Sequence, residues 1–207
     1  MNILTEYEAE EFLSKEGFPV VNRTLCITEK EAYQEASKKN FNVVLKIASK
    51  EALHKTELHG VRMGITKDTF SQHYKELSNL KLKKEGILVQ DYVEGLQLIL
   101  GLKKDPVFGH VLLVGLGGIY AEVFKDTALK ILPVEKKDIH ALLQELKSYQ
   151  LLKGYRGSNF NLTYLEKILL KFNHLIKKHP SIQELDINPF ILNEKEGKIA
   201  DARIVFN

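Results

Sequence analysis

Towards its C-terminus the chain reads ELDINPFILNEKEGKIADARIVF over residues 184–206. Two runs rich in strand-forming residues, 184–192 and 198–206, flank a polar, glycine-containing stretch at 193–197, a pattern that predicts a β-hairpin. Side chains alternate between the two faces of a strand, so a loop with an even number of residues brings one apolar set together as a core face. That set comprises Leu185, Ile187, Ala200, Ala202 and Ile204.

The other face of the predicted hairpin gathers Asp186, Asn188, Asp201 and Arg203. Three of these side chains carry oxygen atoms, and Mg²⁺ takes oxygen ligands, commonly one or two carboxylates together with nucleotide phosphates. The alternative is a solvated outer face with a surface ion pair. Pro189 interrupts the ladder of strand hydrogen bonds, so the register on which the metal site depends stays open at this point.

The rest of the chain predicts a mixed α/β (α+β) fold. Capping boxes at 5–8 and 28–31 begin two helices, since a Thr side chain caps the first turn and a Glu three residues later returns the bond. Further helices are predicted at 68–79, 136–148 and 162–178. Strands are predicted at 20–27, 43–48, 61–65, 87–93, 96–102, 111–114 and 120–124. This long central run of strands argues against a simple doubly wound sheet.

The composition is that of an ordinary folded protein. The 207 residues include 30 Lys and Arg against 27 Asp and Glu, a formal charge of +3 that excludes a polybasic nucleic-acid binder. The length suits a single domain or one compact two-lobed domain. A lone cysteine, Cys26, excludes an internal disulfide framework and fits a reducing, cytoplasmic setting. The longest apolar stretch, 111–121, is too short to span a membrane, and we expect no targeting segment.

Lys46 stands inside the apolar run 43–48. Burying an ammonium group without a partner is very costly, so an anionic group should meet it. Three alternatives stay open. The ammonium reaches solvent at a strand end, it pairs with an internal carboxylate, or it binds a phosphate.

Two further segments carry residues suited to phosphate chemistry. The glycines in Gly115-Leu116-Gly117-Gly118 would let backbone N–H groups approach a phosphate, although the spacing matches no nucleotide-binding fingerprint and a tight turn is the simpler explanation. His54 lies in a polar loop, where an imidazole can take up and release a phosphoryl group, although most loop histidines do neither.

Several blocks of this sequence, taken in order, resemble the ATP-grasp β subunit of ADP-forming acetyl-CoA (acyl-CoA) synthetases. The resemblance extends over nearly the whole chain. Its most specific blocks are HKTE at 54–57, DPVFG at 105–109, GLGGI at 115–119 through Glu122 to Lys125 and Asp126, LKGYRG at 152–157 and ELDINP at 184–189. The resemblance implies an ATP-grasp fold over 1–207, a single domain whose two α/β lobes, approximately 1–86 and 87–207, clasp a nucleotide.

The same resemblance implies a reaction and a partner. The family catalyses acyl-CoA + ADP + phosphate ⇌ carboxylic acid + CoA + ATP. A CoA-binding α subunit forms an acyl phosphate and takes the phosphoryl group on its own histidine, and a β-subunit histidine, matched by His54, then carries that group to ADP. We therefore expect Mg²⁺ as cofactor, ATP or ADP as substrate and an α subunit in a hetero-oligomer such as α2β2. We expect no nucleic-acid or membrane partner.

Individual site residues are carried over from the family in the same way. Lys46 matches the lysine on the nucleotide phosphates, and Asp186 would assist the metal or the phosphohistidine. The Mg²⁺ ligands match Asn188 and Asp201. The adenine-contacting segment between the lobes matches Gln90, Asp91, Tyr92 and Val93. The phosphate end is matched by Gly117, Gly118, Glu122, Lys125, Asp126 and Arg203.

Three departures from the family pattern bear on nucleotide preference and rate. His59 replaces a glycine after the histidine loop, Gln97 replaces the glutamate that holds the ribose hydroxyls, and the hinge at 93–96 is one residue shorter. Two other functions stay open: another ATP-grasp ligase that activates a carboxylate, which would not need His54, and a non-catalytic, nucleotide-binding regulatory subunit.

Overall fold

The computed structural model describes residues 2–49, 60–118, 125–154 and 159–207. The chain divides into two compact units, a smaller one of residues 21–93 and a larger one of residues 1–20 with 94–207. This division differs from the lobes at 1–86 and 87–207 that the sequence led us to expect. The reason is that the N-terminal strand pairs with the last strand of the chain, which places residues 1–20 in the larger unit.

The smaller unit is a four-stranded antiparallel sheet with two helices. Its elements are β2 (Arg23–Cys26), α2 (Glu29–Lys38), β3 (Val43–Ala48), β4 (Val61–Arg62), α3 (Phe70–Ser78) and β5 (Gly86–Asp91), with the sheet order β2-β5-β3-β4. The capping box that begins α2 is confirmed, because Thr28 and Glu31 exchange both bonds. The strand predicted at 61–65 is shorter than expected, and the helix predicted at 68–79 begins at Phe70.

The larger unit is built on a second antiparallel sheet. Its elements are β1 (Asn2–Ile3), α1 (Glu6–Lys15), β6 (Leu96–Asp105), β7 (Gly109–Leu116), β8 (Thr127–Ile131), α4 (Lys136–Gln144), α5 (Tyr149–Leu152), α6 (Leu162–Lys178), β9 (Ile182–Leu192), β10 (Gly197–Ile199) and β11 (Ala202–Phe206). The sheet order is β1-β11-β9-β6-β7-β8, with β10 paired to β9. The prediction missed β8, and the strand predicted at 120–124 lies outside the described residues.

Helix α6 supplies much of the core of the larger unit. Its bounds match the predicted helix, and its buried side chains recur every three or four residues, as expected for a helix with one apolar face. They are Leu165, Ile168, Leu169, Phe172 and Leu175. The helix predicted at 136–148 ends earlier, at Gln144, and the short helix α5 follows beyond the predicted range, at Tyr149–Leu152. No helix in the described ranges has the length and apolar content needed to cross a membrane.

The C-terminal hairpin has an even-numbered loop, which is the condition on which the two shared faces depended, and this loop is one residue shorter than the predicted turn at 193–197. Leu192 pairs with Gly197, so residues 193–196 form the turn, and the same register continues to the pair Ile187 and Ala202. The expected core face is confirmed by its burial: Leu185, Ile187, Ala200, Ala202 and Ile204 are each at most 4% exposed.

Pro189 disturbs only one side of strand β9. Against β6 the pairing shifts between Leu98, which faces Phe190, and Leu100, which faces Ile187. Asn188 and Pro189 together therefore oppose a single residue of β6, which is the arrangement of a β-bulge. On the other side, the Asn188 N–H donates to the Asp201 carbonyl at 3.1 Å, so the hairpin register passes through this point intact.

The hairpin register can be tested at Gly197. A Cβ atom at this position would collide with ring carbons Cε1 and Cζ of Phe190, which is fully buried and cannot swing aside. We expect Gly197→Ala to lower the free energy of unfolding by about 1–3 kcal/mol, measured by chemical denaturation. Combining it with Phe190→Leu should cost less than the sum of the two single changes. A fully stable Gly197→Ala protein would contradict this pairing.

Candidate functional site

The polar face of the hairpin is formed by two cross-strand pairs. Asp186 on β9 lies directly opposite Arg203 on β11, and Asn188 lies opposite Asp201. The register confirms that these four side chains share the face that points away from the core. Opposed residues have Cβ atoms about 4.5–5.5 Å apart, close enough for their polar groups to act on one ligand.

Asn188 and Asp201 form a donor set that fits Mg²⁺. Asn188 is exposed and Asp201 is half-buried, so an amide oxygen and a carboxylate are offered side by side. The bulge at Asn188 and Pro189 is the kind of irregularity that redirects a side chain next to a functional site. Among the described residues no cluster of three or more His, Cys, Asp or Glu could hold a metal ion. Mg²⁺ needs only one or two protein ligands when phosphates and water complete its shell.

Arg203 adds an unsatisfied donor to the same face. Its Nε atom is buried and makes no hydrogen bond to any described residue. A buried donor without an acceptor costs roughly 1–3 kcal/mol, and a charge makes the cost larger. The residue as a whole is half-buried, and its contact with phosphate stays a prediction.

In the smaller unit, Lys46 lies on the sheet face opposite the helices. It is only 6% exposed, which disfavours the alternative in which its ammonium group is solvated. Pairing with a carboxylate and binding to a phosphate both remain compatible with its position. Lys46 pairs with Leu88 across the sheet, and Gln90, two residues along the same strand, lies on the same face.

Sequence reasoning missed Arg23, which belongs to this face. Arg23 pairs with Gln90 across β2 and β5, so its side chain and that of Lys46 are directed to the same side of the sheet. This face therefore carries two cationic side chains. Arg23 lies in a strand that the sequence predicted, at 20–27. Only the pairing of β2 with β5 and of β5 with β3 shows that Arg23 and Lys46 share a face.

The predicted adenine segment ends the smaller unit. The N–H groups of Asp91 and Tyr92 donate to the carbonyls of Asn22 and Asn42 at 2.9 and 3.1 Å. The Asp91 carboxylate accepts a hydrogen bond from Asn22 and forms an ion pair with Lys39. These bonds fix the segment, and the boundary between the two units follows directly after Val93. A contact with adenine remains a prediction, and it would use other backbone groups of the segment.

The glycine turn after β7 is required by its own packing. The Gly117 N–H donates to the Gln97 carbonyl at 2.8 Å. Gly118 has a φ of +64°, and a Cβ atom there would lie 2.6 Å from Oε1 of Gln97. The tight-turn explanation therefore accounts for these glycines, while their contact with phosphate stays a prediction. Gln97 is exposed at the edge of this turn.

Asp126 has a different role from the one expected. It is 4% exposed, and its two carboxylate oxygens accept the backbone N–H groups of Lys147 and Ser148, each at 2.8 Å. Its own carbonyl accepts the Leu116 N–H at 3.2 Å. Asp126 thus joins the end of β7 to the junction of α4 and α5. A contact with phosphate stays a prediction for the exposed Lys125 and is no longer expected for Asp126.

The pKa of Asp126 reflects these bonds. Burial alone would raise the pKa, but hydrogen bonds from Ser148 and Lys147 outweigh burial and lower it below its ordinary value. The other predicted residues at this end and in the histidine loop, Glu122, His54 and His59, lie outside the described residues.

Comparisons with known proteins agree with this architecture. The sequence model of the ATP-grasp domain matches residues 1–206. The chain therefore belongs to the ATP-grasp family, as its sequence led us to expect. Within that family it groups with the beta subunits of ADP-forming acetate–CoA ligases. It is 32% identical over 211 residues to subunit beta of acetate–CoA ligase (ADP-forming) I of Pyrococcus furiosus, covering 98% of this chain and 91% of that subunit.

Solved structures of one archaeal enzyme share the fold. The dinucleotide-forming acetyl-coenzyme A synthetase 1 of Ca. Korarchaeum cryptofilum, in complex with coenzyme A and Ca-AMPCP, superposes with a TM-score of 0.91 at 33% identity, covering 99% of this chain and 93% of that one. Its complex with Mg-AMPPCP, whose phosphohistidine segment points towards the nucleotide binding site, gives a TM-score of 0.84, with the same identity and coverage.

Other relatives are much longer than this chain. Acetate–CoA ligase (ADP-forming) II of Archaeoglobus fulgidus is 34% identical over 205 residues, which are 98% of this chain but only 30% of that protein. The chain thus spans about a third of the length of the first such relatives.

The two hydrogen bonds that the Asp126 carboxylate accepts from Lys147 and Ser148, here called the Asp126 clamp, make the free energy of unfolding depend on pH. We expect Asp126→Asn to lower the free energy of unfolding by about 2 kcal/mol at pH 7, because a charged acceptor of two N–H groups is lost. A lowered folded-state pKa means that the contribution is complete above the unfolded-state pKa, about 3.9, and is lost as pH falls through the folded-state value.

Denaturation of the unmodified protein and of Asp126→Asn at pH 7 and at pH 3 tests this. The difference between their free energies of unfolding should shrink at pH 3, and the exposed control Asp68→Asn should match the unmodified protein at both pH values. An Asp126→Asn protein as stable as the unmodified one at pH 7 would rule out the clamp.

Proposed function

We propose that this chain is the nucleotide-binding β subunit of an ADP-forming acyl-CoA (acetyl-CoA) synthetase, an acid–CoA ligase. The reaction is acyl-CoA + ADP + phosphate ⇌ carboxylic acid + CoA + ATP. The observation that carries this proposal is the hairpin face on which Asn188 and Asp201 stand beside Asp186 and Arg203. The family relationship supports the same function, because relatives with this fold are ADP-forming acetate–CoA ligases.

Phosphoryl transfer to ADP depends on charge neutralisation and in-line positioning more than on covalent assistance by the protein. Bound Mg²⁺ supplies part of that neutralisation, and Asn188 and Asp201 would hold it. Arg203 and Lys46 are the cations that we assign to phosphate oxygens. Gln97 takes the ribose hydroxyls, and residues 90–93 meet the adenine.

The phosphoryl group reaches ADP through His54. A nitrogen of its imidazole attacks the phosphorus held on the partner's histidine, so one P–N bond forms as the other breaks. The terminal oxygen of ADP then attacks the same phosphorus, which yields ATP and a free imidazole. Asp186, which stands on the polar hairpin face, orients the phosphorylated ring by accepting its second N–H. Holding the group covalently keeps it from water during the transfer.

This function requires a partner. The P. furiosus relative is a separate subunit named beta, which implies a second subunit. We assign the binding of CoA and the formation of the acyl phosphate to an α subunit in a hetero-oligomer such as α2β2. A cytoplasmic location fits substrates of this kind.

The histidine relay is tested by replacing His54. We expect His54→Ala to reduce ATP formation by at least about 1,000-fold in a mixture with the CoA-binding subunit, acetyl-CoA, ADP, Mg²⁺ and phosphate, since no other group would accept the phosphoryl group. His174→Ala, at an exposed histidine on α6, is the matched control. Undiminished ATP formation by the His54 variant would favour an ATP-grasp ligase that works without a relay. No turnover in any mixture would favour a regulatory nucleotide-binding subunit.

The metal ligands are tested by the Mg²⁺ requirement. Asp201→Asn and Asn188→Ala should each raise the Mg²⁺ concentration needed for half-maximal ADP binding by about tenfold or more, because each removes a donor from a site with few protein ligands. Calorimetric titration of ADP at several Mg²⁺ concentrations measures this. Asp68→Asn, an exposed carboxylate in the smaller unit, should leave the requirement unchanged. An unaltered requirement in both site variants would reject these ligands.

A further inference from the structure

The outer face of the large sheet changes character from one side to the other. One straight row crosses five strands, from Arg203 through Asp186 and Gly101 to Leu113 and Leu129. Its first half is charged and carries the proposed site, and its second half is apolar. Gly101 stands between them and contributes no side chain.

The apolar half of this face forms an open groove of about 700 Å³ that continues to Asp186. We call it the β6–β8 groove. Its apolar lining is formed by Ile99, Val111, Leu113, Leu129 and Ile131, with Phe108 at the β6–β7 turn.

The exposure of this lining is unusual within the molecule. Leu129 is 57% exposed, Ile131 48% and Phe108 60%, and the adjacent Val107 is 79% exposed. Half of the eight exposed large hydrophobic side chains in the described ranges are therefore concentrated here. Exposed apolar patches with a polar rim mark sites of interaction, whereas single exposed hydrophobic residues need no explanation.

Charged side chains border the groove on both sides. Lys103 and Lys130 provide positive charge, and Asp105 and Glu184 provide negative charge. A rim of mixed sign around an apolar centre resembles a protein–protein interface, in which the centre excludes water and the rim fixes orientation. It suits a protein surface with apolar side chains surrounded by complementary charges.

The position of the groove indicates which protein would cover it. A subunit that hands a phosphoryl group to this chain must contact it within reach of Asp186, which we place at the phosphohistidine. Asp186 itself lines the groove. The P. furiosus relative is itself named subunit beta, which implies a second subunit that could occupy such a surface.

We propose that the β6–β8 groove is the docking surface for the CoA-binding α subunit. The inference rests on the proposed function and adds the place of contact. In the assembled enzyme the partner's apolar side chains fill the space over Gly101 and cover Leu129 and Ile131. The interface therefore begins where the polar site ends.

The test measures binding of the cognate CoA-binding subunit, purified separately, to variants of this chain. Leu129→Glu places a charge in the groove at an exposed position, so the fold should be retained, as checked by thermal denaturation. We expect its dissociation constant for the subunit to rise by about 30-fold or more, the effect typical of a central interface residue. Ile27→Glu, at a 75% exposed apolar residue of the smaller unit, is the matched control and should change it less than twofold.

Three further readouts separate the explanations. Mg-ADP binding should be the same in Leu129→Glu and the unmodified chain, and hydrogen exchange of β7 and β8 should slow when the subunit is added.

Equal affinity of both chains for the subunit overturns the docking surface while leaving the proposed function intact. If the unmodified chain neither binds the subunit nor forms ATP with it, the proposed function fails. If the chain alone forms a dimer that Leu129→Glu dissociates, the groove is a contact between copies, and the proposal is wrong.

Discussion

The arrangement of the larger unit depends on one constraint, the register between β9 and β11. It places Asp186 against Arg203 and Asn188 against Asp201. A shift of one strand by one residue would turn its two polar side chains towards the core, expose its apolar residues and separate both cross-strand pairs. The even-numbered turn at 193–196 and the close packing of Gly197 on Phe190 hold this register. Burial of the apolar face therefore fixes the geometry of the polar face, and the chemistry follows from packing.

The backbone of β9 has a bulge on this face. The bulge in β9 is confined to the side of β6, so Asn188 can be redirected without disturbing its pairing with Asp201. At the end of β7 the backbone is held by Asp126, whose buried carboxylate accepts hydrogen bonds from two backbone N–H groups. At the bulge, the Asn188 N–H is bonded to the backbone while the Asn188 side chain is exposed. At the end of β7, the Asp126 carboxylate is bonded to the backbone while the neighbouring Lys125 is exposed. The scaffold thus separates residues that hold the structure from residues that can meet a ligand.

The sequence predicted the hairpin and, for an even-numbered loop, its two faces, because strand alternation is a local property. It also predicted α6, where apolar residues recur at helical spacing. It missed β8, whose outward Leu129 and Ile131 are exposed apolar residues and so resemble no half-buried strand. The family resemblance placed Asp126 at the phosphate end, and its bonds to Lys147 and Ser148 were not foreseen because these partners are about twenty residues away in sequence. Arg23 was overlooked for the same reason, since only pairing with β5 places it beside Gln90.

Gly101 lies between the charged and the apolar residues of the row from Arg203 to Leu129. Adjacent strands are about 4.8 Å apart, so the row from Arg203 to Leu129 extends over about 20 Å. Along that distance the surface changes from ionic to apolar, and the absence of a side chain at Gly101 leaves the two environments in direct contact. Such a surface is directional. A binding partner with one charged end and one apolar end fits this surface in a single orientation. The sheet therefore distinguishes the two ends of whatever binds across it.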